Sequence, residues 1–184
     1  VVDRDLWRRC AELGWFGLGL TEALGGVGYT LAEEALLFEQ LGAHATPGPF
    51  LATVLGARLA ALSGHAELTS SILDGSAIVA LAEPHDAHRL TGADATLDRR
   101  PGHGDAEATA GEHVQGTFRV TDHGDADLVL VMAGDDASLV DADHITAEPI
   151  RSLDQLVPIA VGTLSGPPVR CHLEGAASLW QRAT

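Results

Sequence analysis

The sequence predicts an α+β fold, and three observations carry that prediction. From Asp5 to Leu73 apolar residues recur at helical spacing, from Ser76 onward short β-branched runs alternate with clusters of Gly, Asp, His and Pro, and the change falls near residue 75. Helices followed by strands imply segregated layers: a helical domain over residues 1–75, a sheet-forming domain over 76–175, and the start of a further helix over 176–184. With 184 residues, 46% of them apolar, the chain can bury a core in each part.

The first helix is expected from about Asp5 to Leu13, with Leu6, Trp7, Cys10 and Leu13 on one face, Asp3 near its start and Gly14 at its end. The stretch WFGLGLTEALGGVGY holds Gly17, Gly19, Gly25, Gly26 and Gly28, too many for a stable helix, and predicts a folded loop rich in turns. Thr30-Leu31-Ala32-Glu33 has the form of a capping box, so a helix starts at Leu31 and runs to about Leu41, with Leu31, Ala35, Phe38 and Leu41 inward. Pro47 and Pro49 interrupt the chain before an apolar helix from Phe50 to Leu62, whose single charge is Arg58; such a helix lies buried between neighbours. A short helix from Glu67 to Leu73 is followed by the Asp74-Gly75 turn and a strand at Ala77–Leu81. Further strands are expected at Ala93–Leu97, Val114–Val120, Asp127–Ala133, Ser138–Asp141 and Val169–Leu173, and ragged hairpins with a mobile tip over Pro84–Gly111.

Composition removes several functions. Against 26 acidic residues stand 11 basic ones, and the net charge of −15 repels a phosphate backbone, so no nucleic-acid partner is expected. All the basic residues are Arg, which leaves no Schiff-base lysine and no P-loop lysine. Cys10 and Cys171 have neither disulfide-framework nor zinc spacing, which fits a reducing, cytoplasmic setting. No apolar run reaches the ~18–20 residues of a membrane span, and the start VVDRDLWRRC is too charged for a signal peptide. A beginning at Val1 is expected of an excerpt or a processed product.

Motif by motif, the residues assign no catalytic centre. His85 and His88 beside Asp86 have the spacing of metal ligands on a helix, but Pro84 and the turn that follows deny them that register, so no metal site is assigned. Asp122 to Asp127 has the look of a calcium loop without the closing Glu or flanking helices, and reads as a turn before a strand. There is no G-x-S-x-G elbow, and no G-x-G-x-x-G follows a strand.

The order of segments is more informative. LWRRCAELGWFGLGLTEALGGVGYTLAEEALLFEQLGAHATPGPF resembles the opening of the acyl-CoA dehydrogenase family, where a P-E-x-x-G-G-x-G loop leads to a helix with "EeLg"; Glu22, Gly25, Gly26 and Gly28 match, and Thr21 replaces the Pro. The resemblance implies a β-barrel or sandwich middle domain that holds FAD at its strand ends. The family's T-E-P-x-A-G-S-D corresponds to Ala82 to Arg89, of which Glu83 and Pro84 match, and its W-I-T-N resembles Arg119-Val120-Thr121-Asp122. Leu81, Ala82, Arg119, Val120 and Thr121 are therefore the cofactor-binding candidates, with Thr121 the partner of the flavin N5 and Arg119 in place of an aromatic ring. Losing the hydroxyl at Ala82 costs ~1–3 kcal/mol and losing the ring ~0.5–1.5, so FAD binding is expected to be weakened. The resemblance further implies an acyl-CoA substrate in fatty acid and lipid degradation, electron-transfer flavoprotein as acceptor, and oligomers with like or related subunits. It also implies a C-terminal helical domain carrying the Glu base. That domain is expected to lie outside this chain, so no catalytic residue is assigned and the chain alone is expected to be inactive. The alternative implied by the eroded motif is a non-catalytic subunit that supports an active homologue.

Overall fold

A computed structural model describes residues 2–85, 108–109, 113–133, 136–152, 154 and 156–175. Helix α1, Arg4–Glu12, starts where the Asp3 carboxylate accepts the Asp5 and Leu6 amides and stops at Gly14, whose φ of 75° suits glycine. It buries Trp7, Cys10 and Ala11, whereas Leu6 and Leu13, expected on the same face, are exposed. The correction is one of phase: at 100° per residue Trp7, Cys10 and Ala11 form the stripe, and Leu6 and Leu13 lie off it.

After two 3-10 turns, Trp15–Gly17 and Glu22–Leu24, the expected capping box forms: Glu33 accepts the Thr30 amide at 2.9 Å and Thr30 Oγ1 accepts the Ala32 amide at 3.2 Å. Helix α2, Leu31–Ala43, turns Glu34 and Leu41 inward, with Leu37 and Phe38 half-buried. Leu31 and Ala35, expected inward, are exposed. The face is set by a charge that the apolar pattern does not register, because Glu34 pairs with Arg58 of helix α3, Phe50–Leu62. Both side chains are at most 2% exposed, and the Gly19 backbone bonds the same carboxylate. Burial pushes the Glu34 carboxyl up against the opposing pull of Arg58. A Cβ at Gly19 would overlap the guanidinium, so the loop, α2 and α3 meet at this pair.

Helix α3 is buried throughout except at Leu51 and Leu62, as its composition demands. Gly56 lets it lie on the sheet, since a Cβ there would sit 3.2 Å from both methyls of Val79. Helix α4, Ala66–Leu73, completes the helical part. Eight strands follow: β1 Val79–Pro84, β2 Ala108–Thr109, β3 His113–Thr121, β4 Leu128–Ala133, β5 Asp136–Asp141, β6 Thr146–Ile150, β7 Ile159–Pro168 and β8 Cys171–Leu173. Their order is β6-β7-β3-β1-β4-β5-β8, with β2 paired to β3. All pairings are antiparallel except β1 with β4, which is parallel. One side of the sheet packs Val79, Leu128, Leu130 and Leu139 against α3; the other gathers Ala80, Ala82, Phe118, Val120, Val129, Val140 and Leu164 into a second core.

The strands expected from the sequence are present at β3, β4, β5 and β8, whereas β1 begins later and ends at Pro84. Strands β6 and β7 were not expected, because Pro149, Gly162, Gly166, Pro167 and Pro168 punctuate them as loops. Ala93–Leu97, the His85–His88 pair apart from His85, and 176–184 lie outside the described residues. Removing one partner of the Glu34–Arg58 pair leaves a buried charge alone. In denaturant unfolding, Arg58→Met is expected to cost ~3–5 kcal/mol, and adding Glu34→Leu to recover more than half of that loss.

Candidate functional site

Two of the strands carry the candidate residues side by side. Strands β1 and β3 pair in antiparallel register, Leu81 opposite Thr121, Ala82 opposite Val120, and Glu83 opposite Arg119. Alternation along the pleat then sorts them. Leu81, Arg119 and Thr121 are half-buried and share the side of the sheet that carries Val79 and α3, with Leu81 packed against that core, while Ala82 and Val120 are fully buried in the second core. Toward a ligand on the side of Leu81 and Thr121, Ala82 and Val120 therefore offer backbone only. Leu81 and Ala82 of β1 lie between two partners, β3 on one edge and β4 on the other.

On that same side the Glu83 carboxylate accepts a hydrogen bond from the Arg119 guanidinium at 2.6 Å, a cross-strand ion pair between directly opposed residues. Two register positions away, on the same side, stand Leu81 and Thr121, and the Thr121 hydroxyl has no hydrogen-bond partner among the described residues. Beyond Thr121 the chain turns sharply. Asp122 takes a φ of 59°, its amide donates to Pro158 O at 2.9 Å, and the 3-10 turn His123–Asp125 leads into β4. The turn expected for Asp122–Asp127 is present.

This turn is held against α1. Asp127 Oδ2 accepts the Ile78 amide at 2.9 Å and takes Arg4 at 3.3 Å, while Arg4 also donates to Asp125 O at 3.0 Å. Between the two parts runs a groove with a cavity of 650 Å³, lined by Trp7, Trp15, Phe50, Leu41 and Asp122 among others. Its ring wall is a packed cluster, with centroids 4.5 Å apart for Trp7 and Phe16 and 4.8 Å for Trp7 and Phe50. Desolvation raises the Asp122 carboxyl from 3.8 to about 6. From the sequence, Asp122 was expected in a turn and at the end of the segment resembling W-I-T-N, without a ligand role of its own. The signal the sequence lacked is the groove, which forms from segments far apart in the chain; an Asp at a strand end tolerates positive φ and is ordinarily solvated.

Residues 1–77 match the model of the acyl-CoA dehydrogenase N-terminal domain. The first two-fifths of the chain is thus similar to the N-terminal domain of the acyl-CoA dehydrogenase family. It is 40% identical over 82 residues to the acyl-CoA dehydrogenase IpdE2 of Mycobacterium tuberculosis, a stretch that covers 43% of this chain and 26% of IpdE2. Among solved structures, the Tcur3481-Tcur3483 steroid ACAD superposes with a TM-score of 0.66 at 25% identity, over 99% of this chain and 52% of that one. The ChsE4-ChsE5 complex from Mycobacterium tuberculosis gives a TM-score of 0.69 at 24% identity, over 96% and 50%. The chain thus spans about half the length of these solved acyl-CoA dehydrogenase-fold chains. Structures of the same fold have been solved with FAD. No helix among the described residues is long and apolar enough to cross a membrane.

Asp122 yields a test of its surroundings. Its folded value of about 6 lies above 3.8, so the folded state binds the proton more tightly, and the associated stability is full below about pH 4 and lost as pH rises through about 6. Asp122→Asn keeps the left-handed backbone and removes the charge. Thermal melts should show the variant more stable by about 1 kcal/mol near neutral pH, a value reduced for partial solvent exposure, and equal to wild type near pH 4.

Proposed function

We propose that this chain is the flavin-facing part of an FAD-dependent acyl-CoA dehydrogenase, with the domain division at residues 75–76 and Leu81, Ala82, Arg119, Val120 and Thr121 as the cofactor-binding segments. The observation that supports it most directly is the register of β1 and β3, which sets Leu81 against Thr121 on one side of the sheet. A flavin edge fits Leu81 and Thr121: the leucine supplies apolar contact, and the free threonine hydroxyl supplies a donor. Ala82 and Val120 stiffen that edge from behind, through the second core. Bound there, FAD would accept a hydride from the β-carbon of an acyl thioester and pass the electrons to an acceptor such as electron-transfer flavoprotein. The chain's own residues orient the cofactor; the base that takes the α-proton is assigned to none of them. The similarity to a steroid ACAD makes an alicyclic acyl group the substrate class to test first.

A second reading is favoured by the Arg119–Glu83 ion pair. It stands where the family resemblance puts an aromatic ring, and a guanidinium held by a carboxylate does not stack in the same way. A subunit with this face would support an active homologue, in an assembly of the kind named in the ChsE4-ChsE5 complex.

Flavin absorbance of the intact purified protein separates the two. On the first reading it copurifies with FAD, and Thr121→Val weakens FAD by roughly tenfold while leaving the fold intact. Colourless protein that cannot be loaded with FAD, but forms a stable complex with a flavin-bearing homologue, would favour the second and overturn the first.

A further inference from the structure

We infer that the groove between α1, the Pro47–Phe50 segment and the β3–β4 turn binds an uncharged, hydroxyl-bearing alicyclic or acyl group, whose hydroxyl donates to the Asp122 carboxylate. The proposal rests on the acyl thioester reading only for what the group is attached to.

The size and walls of the groove come first. Its 650 Å³ falls within the ~300–1,000 Å³ of small-molecule sites, and a second cavity of 430 Å³ shares Leu41, Pro47, Phe50, Asp122 and Leu156 with it. Asp122 thus stands where the two meet. The rings of Trp7, Trp15 and Phe50 pack on one another, so this wall is formed before a ligand arrives. The rim includes exposed Leu6, Leu51 and Leu156, apolar surface that a ring system or acyl chain would cover.

Charge then narrows the ligand. Among the described residues, the charged side chains lining the two cavities are Asp3, Asp122, Asp125 and Asp154, with no Arg or His. An anionic group is repelled from such a groove, which keeps phosphates or a free carboxylate outside it. Three of these acids have work elsewhere: Asp3 caps α1, Asp125 accepts the Val2 amide at 2.7 Å, and Asp154 accepts the Leu156 amide at 2.9 Å. The Asp122 carboxylate has no hydrogen-bond partner among the described residues. It is partly desolvated beside aromatic walls, and that desolvation raises it to about 6 against the opposing pull of the terminal amino group. A hydroxyl supplies a donor in a charge-assisted bond, and a bare hydrocarbon does not.

The test is calorimetric titration of the intact protein with 2-decalol and with decalin-2-carboxylate, two probes of one ring system. Wild type should bind the alcohol and bind the carboxylate about tenfold more weakly; Asp122→Gly, suited to the positive φ, should weaken the alcohol by about tenfold and tighten the carboxylate. Asp122→Asn, which keeps an acceptor without the charge, should weaken the alcohol by only about threefold. Equal binding of the two probes by wild type, binding of neither, or no change in Asp122→Gly would overturn the proposal. The probes contain no thioester or flavin, so alcohol binding by a protein without dehydrogenase activity supports the groove while counting against the acyl-CoA reading. Activity without alcohol binding does the reverse.

Discussion

The helical part is organised around one buried charge pair. Glu34 and Arg58 are both sealed from solvent, so neither can be tolerated without the other, and the requirement fixes how α2 rotates about its axis and how the loop through Gly19 passes between them. A hydrophobic pair of similar volume would bury as well but would let α2 turn, because its apolar residues lie all around it, with Leu31 and Leu36 exposed alongside buried Leu41. The pair therefore acts on specificity: it selects the face. That choice orients α3, which carries the sheet on its other side through Gly56 and Val79.

Where α3 places the sheet, the pleat decides which residues meet a ligand. The strands β1 and β3 are two-faced, and a shift of one residue in their register would exchange Leu81 and Thr121 for Ala82 and Val120. What prevents the shift is the second core, where Ala80 and Ala82 are small enough to lie beside Phe118, a fully buried ring. The cross-strand pair Glu83–Arg119 reinforces the same register from the opposite side of the sheet. The two sides of the sheet thus support a single alignment, one by packing and one by charge.

Much of this was legible in the sequence, and the exceptions share a physical cause. Helix α3 and the capping box of α2 follow from local composition, since a thirteen-residue apolar segment and a Thr-x-x-Glu start have few alternatives. The β1 and β3 segments were legible through their order relative to the opening loop. The inward face of α2 was not, because the residue that sets it is a glutamate whose partner lies 24 positions away. Strands β6 and β7 were hidden by proline and glycine, which an edge strand such as β6 accommodates. The groove and the isolation of Asp122 were out of reach, since they depend on α1, the Pro47–Phe50 segment and the β3–β4 turn arriving at one place.

The parallel pairing of β1 with β4 bears on how the chain is made. On a ribosome, α1 to α4 emerge with all their local contacts available, but α3 then presents an oily underside whose covering strands β1, β4, β5 and β8 are spread from residue 79 to residue 173. The centre of the sheet cannot close until β4 has left the exit tunnel, and its β3 edge waits further for β7. During that interval the nascent chain carries a sticky, half-finished surface, so its yield in a cell should depend on translation speed and on chaperones that shield such faces.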